Sequence, residues 1–175
     1  MRRQIDLLDA GFNRLLTFLA ALTAISIGLI AAIIPLNLLL IKMQWGSIWW
    51  TYEAVEYILY AGVFIAAPWA LRQGAHVRVD VATSALPRHL AARLEQVLDV
   101  FGIGLCLLLC FYGVRAAISE FEDGTLPDKD LRIANWYMLS VFALSFFLLA
   151  VEFLFRLRRA HAAAGEEDSV AESGF

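Results

Sequence analysis

Three histidines, two cysteines and a charged fraction of 18% leave this chain with little of what soluble enzymes and metalloproteins are built from. The histidines, His76, His89 and His161, all fall outside the long apolar runs. A membrane haem protein needs histidine ligands on facing helices inside the membrane, so haem binding is excluded. Cys106 and Cys110 stand four apart and share a helical face, but no further soft ligand lies nearby. They read as small apolar residues. No nucleotide loop, zincin motif, nucleophile elbow or Gly-rich phosphate motif occurs. The chain does not read as an enzyme, and no cofactor and no nucleic acid is expected.

What the chain has in excess is apolar sequence, 61% of residues with a mean hydropathy of +0.68, against about 45–50% apolar in an average soluble domain. Charges cluster, and between the clusters lie runs free of charge at 15–41, 57–71, 100–114 and 133–151. A hydrocarbon core about 30 Å thick is crossed by roughly 20 helical residues. The expectation is an all-α integral membrane protein of four transmembrane helices, at about 15–41, 53–72, 95–118 and 133–155. The membrane domain occupies 15–160. An amphipathic lead-in, 1–14, carries Ile5, Leu8 and Phe12 on one face, and the small, acidic tail 161–175 is expected to be disordered. Pro35 marks a bend in the long first helix.

Arginine and lysine set the orientation. Ten of them flank one side of the four spans and four flank the other, which places both termini and the loop between helices 2 and 3 in the cytoplasm. That loop forms a short interfacial segment, broken by Gly74 and restarted at Pro87. The opposite side is acidic, with Glu120, Glu122, Asp123, Asp128 and Asp130, and is rimmed by Trp45, Trp49, Trp50, Tyr52, Trp136 and Tyr137.

Ionisable residues near the spans carry two readings each. Asp99 and Arg115 bound helix 3 and can reach the interface by snorkelling. Glu53 and Glu56 form either a cation or partner site or a helix start favoured by its dipole. Glu152 and Arg156, at i and i+4, read as a local pair. Small residues at packing spacing, Gly62, Ala66 and Ala70 on helix 2 and Gly102 and Gly104 on helix 3, suit close helix–helix contact in lipid.

The string RQGAHVRVD at 72–80, with Trp50, Glu53 and Tyr57 before it and Leu86-Pro87 after it, resembles the DctQ-type small membrane subunit of tripartite ATP-independent periplasmic (TRAP) transporters. The resemblance covers about 10–160. Tyr52 stands where that family often has an acid, and Glu56 where it has a basic residue. The resemblance implies a scaffold subunit in a bacterial inner membrane. Its partners would be a large membrane subunit carrying the substrate and sodium sites, a periplasmic binding protein delivering an organic acid, and membrane lipids. It also implies contacts to the large subunit through Trp50, Glu53, Tyr57, Gly62, Ala66, Arg72, Gly74, His76, Asp80 and Pro87. Docking of the binding protein falls to Glu120, Glu122 and Asp123. Two other architectures compete: a self-sufficient small four-helix transporter, and the membrane anchor of a respiratory enzyme.

Overall fold

The computed structural model describes the backbone of residues 2–74, 88–124, 126–129 and 131–173, and side chains within 7–74, 93–124, 126–129 and 131–160. Four helices account for nearly all of it: α1 (Arg2–Lys42), α2 (Thr51–Arg72), α3 (Arg88–Asp123) and α4 (Asn135–Ser173). Each is long and apolar enough to cross a membrane. At about 1.5 Å rise per residue, α1 extends roughly 60 Å, twice the hydrocarbon thickness. The amphipathic lead-in is therefore the first part of α1 itself, and the helix continues through Pro35. The backbone of α4 is helical to Ser173, beyond the point where composition suggests disorder; the alanines at 160 and 162–164 are strong helix formers.

The buried positions of α1 explain how it packs. Leu16, Thr23, Ile30 and Asn37 are all buried and stand seven residues apart, with half-buried Asp9 one repeat earlier. Phe12, Leu19, Ser26, Ile33 and Leu40, half-buried, fill the alternate positions of the same repeat. A 3.5-residue period is the seam of a left-handed helix pair. Here the seam lies against α2. Gly62 permits the approach: a Cβ there would stand 2.9 Å from the Thr23 methyl.

α2 packs on α4 through its other face. Phe64 meets Phe142 edge-on with ring centroids 5.2 Å apart, Tyr60 and Phe146 flank them, and the Ser145 hydroxyl donates to the Phe64 carbonyl. α4 in turn makes the most extensive contact of the molecule with α3. Gly102 admits the Phe153 ring and Gly113 admits Phe142 and Ala143.

The spatial order is thus α1–α2–α4–α3, an open row and not a closed bundle. α3 is a 36-residue edge helix with Val97, Phe101, Phe111 and Phe121 exposed, and one packing expectation changes with it. Gly104 faces open space, and Gly113 is the second glycine of the α3–α4 contact. A row has two broad apolar faces, which lipid or another protein must cover.

Candidate functional site

All four helices contribute to a cluster of ion pairs at the arginine-rich end, a ring joining α1, α2 and α4 and a neighbouring pair joining α3 to α4. Arg72, at the last turn of α2, donates from Nη2 to Asp9 Oδ1 of α1 at 2.9 Å and from Nη1 to Glu152 Oε2 of α4 at 3.2 Å. Arg159 closes the ring, reaching the same Asp9 oxygen at 3.0 Å and the other oxygen of Glu152. Next to it, Arg156 lies 3.5 Å from Asp99 of α3. Glu152 is fully buried and Asp99 is 2% exposed. Three acids face three arginines, so the network is neutral, as buried charge must be to remain ionised at tolerable cost.

Two expectations change here. Glu152 does not pair with Arg156 one turn away; it takes Arg72 and Arg159, because positions 152 and 159, two turns apart, share the face turned to α1 and α2. Nor does Asp99 snorkel: it stays buried against α4 and is met by Arg156.

At the opposite, tryptophan-rich end, α2 holds the loops. Asn37, 1% exposed at the end of the α1 seam, accepts the Ile48 amide at 2.7 Å through Oδ1. This fixes the α1–α2 loop, so Asn37 is a loop anchor. The loop before α4 is clasped to α2 from both sides of one residue: Glu53 accepts the Leu131 amide, while the Tyr57 hydroxyl donates to the Leu131 carbonyl at 3.3 Å. Glu56 binds Lys129 Nζ at 2.7 Å, and that ammonium also lies 5.2 Å from the centre of the Tyr57 ring. The hydrogen bond to Glu56 holds the Lys129 ammonium above its usual range. Glu56 thus takes its base from the neighbouring loop.

The residues singled out in the sequence therefore divide. Glu53, Tyr57, Gly62 and Arg72 make contacts inside the chain, and Ala66 is half-buried in α2. Trp50 is 38% exposed at the start of α2. Gly74, with φ +73°, ends α2 in the left-handed conformation that glycine tolerates. His76, Asp80 and Pro87 lie outside the described residues. Among the rim acids, Glu122 and Asp123 are exposed at the end of α3, and Glu120 accepts the Asn135 side-chain amide at 3.3 Å.

Among the described residues no group of three or more histidine, cysteine, aspartate or glutamate side chains could hold a metal ion, and both buried carboxylates are engaged by arginine. What sequence reasoning missed is that Asp9, Thr23 and Asn37 recur at multiples of seven, the signal of a buried face in a helix apolar all round. Residues 45–162 match the family model described as Tripartite ATP-independent periplasmic transporters, DctQ component. No curated protein matches the chain.

Proposed function

The chain belongs to the DctQ component family of the tripartite ATP-independent periplasmic transporters, and from that premise we propose that it is the static scaffold of such a transporter. It holds a large, substrate-carrying membrane subunit against one broad face of its helix row. The ionic network is the observation that carries this reading. A chain that commits Asp9, Asp99 and Glu152 to ties among its own helices is built to keep a fixed shape, not to bind and release an ion. A self-sufficient transporter needs an intramembrane carboxylate available to its substrate, and here both buried ones are held by arginine.

The remaining assignments follow the family reading. The subunit sits in a bacterial inner membrane with both termini in the cytoplasm, so the arginine-rich network faces inward and the tryptophan rim faces the periplasm. The transporter imports an organic acid with sodium. The segment from Gly74 to Asp80 contacts the inner end of the large subunit, and Arg72 fixes the end of α2 that leads into it. Trp50 and the exposed acids Glu122 and Asp123 belong to the periplasmic rim where the binding protein docks.

Each half has its own experiment. Charge reversal of Glu122 and Asp123 to lysine should lower uptake at limiting binding protein by roughly tenfold, the scale of rim-charge effects on association rate. Uptake at saturating binding protein and the amount of assembled complex should not change. Equal uptake by the reversed and parent chains at limiting binding protein would remove the rim from docking. For the inner turn, Gly74→Leu forces a β-carbon into left-handed backbone at a cost of about 1–2 kcal/mol. It should reduce co-purification of the large subunit from native membranes while the isolated chain keeps its helical content. Undiminished co-purification would move the contact elsewhere.

A further inference from the structure

We propose that the groove beside α3 and α4 at the arginine-rich end is a binding site for one anionic phospholipid. Arg93 holds the phosphate, and an acyl chain lies along Val97, Val100 and Phe101. The groove has a volume of about 750 Å³ and is completed by Gln96 and Leu157.

Charge is the first argument. The network beside the groove is neutral, with Arg72, Arg156 and Arg159 all meeting carboxylates. Arg93 is exposed, and among the described residues no carboxylate pairs with it. A guanidinium at the head of an apolar groove is complementary to a phosphate with a hydrocarbon tail.

Depth is the second argument. Arg93 stands 14 residues before the centre, at 107, of the charge-free run 100–114 of α3, roughly 21 Å along the helix and so beyond a hydrocarbon half-thickness of about 15 Å, at headgroup level. Phe101, eight residues on, is roughly 12 Å deeper, inside the hydrocarbon. Polar groups line the groove at headgroup depth and apolar ones below. The other large groove between α3 and α4, lined by Cys110, Val114, Phe121, Trp136 and Phe147 among others, contains no charged residue. It gives no such indication of an occupant.

The site requires only that the helices span a bilayer, so it stands or falls independently of the scaffold role. The test is native mass spectrometry of the full chain, delipidated in detergent and titrated with phosphatidylglycerol. One molecule should be retained per chain, and phosphatidylcholine of the same chain length should be retained less. Arg93→Ala, at an exposed position that folding does not need, should weaken retention roughly fivefold, the worth of one basic residue at a lipid phosphate. Val100→Trp, which fills the groove, should weaken it at least as much, while Arg14→Ala should leave it unchanged. Undiminished retention in Arg93→Ala, or equal retention of the two lipids, would overturn the proposal. So would displacement by millimolar inorganic phosphate, which would mark a free-anion site, or chain dimers that disappear in Val100→Trp, which would put a second copy in the groove.

Discussion

Glu152→Leu should destabilise the assembled helices by about 3 kcal/mol, the low end of the range for breaking a buried ion pair by removing one partner. The carboxylate it removes is fully buried and holds both Arg72 and Arg159. In its absence the two arginines compete for Asp9, and the network carries a net positive charge. Arg159, 43% exposed, can turn to water; Arg72, at 14%, cannot do so without moving the end of α2. The cost therefore falls on Arg72. Combining Glu152→Leu with Arg72→Met restores neutrality, since Asp9 and Arg159 still pair, and should recover most of the loss. SDS titration of the helical signal in mixed micelles measures both. If the double variant is as unstable as the single one, the loss comes from packing around position 152 and not from stranded charge.

The four spans were legible because crossing a bilayer imposes a demand on composition that few other structures share. Their helical limits were not. Hydropathy reports where side chains meet lipid, whereas α1 and α3 continue as helix past the bilayer wherever backbone hydrogen bonds and polar flanks permit. The order of the row was hidden for a related reason: a helix apolar on every side has no amphipathic stripe to declare its partner. The information that did exist lay in the few polar residues. Asp9, Thr23 and Asn37 mark the α1 seam, and Glu152 with Arg159 marks the α4 face turned toward α2. Read by itself, Glu152 suggested a local pair with Arg156. Read by their spacing of seven, these residues locate two buried faces.

The site was legible to a similar extent. Glu53 and Tyr57 were singled out because the resemblance points to them, and both hold Leu131 within the chain. Nothing in the local sequence announces that contact. It joins residues 78 positions apart, and it depends on the short loop returning over the start of α2. Gly62 was likewise read from its spacing as a packing residue, and only its contact with Thr23 shows which helix it admits.

Glu53→Ala should release the loop that enters α4. The lost contact is a carboxylate accepting a main-chain amide at a half-buried position, an interaction worth about 1.5–3 kcal/mol. Tyr57 would still bind the Leu131 carbonyl and Lys129 would still bind Glu56, so the loop should open locally and the helix row should persist. At about 1.4 kcal/mol per tenfold, the Leu131 amide should exchange roughly 10- to 100-fold faster with deuterium. The Ile48 amide, held by Asn37 at the same end of the molecule, should exchange at its parent rate. Glu53→Gln keeps an acceptor at the same position and should show a smaller acceleration. Because the same loop leads from the exposed acids of α3 to Trp136 and Tyr137, its release should also blur the docking rim. Uptake at limiting binding protein should fall in Glu53→Ala as well. Accelerated exchange with unchanged uptake would mean that the rim docks without this loop. Unchanged exchange at Leu131 would mean that Tyr57 and Lys129 suffice to hold it.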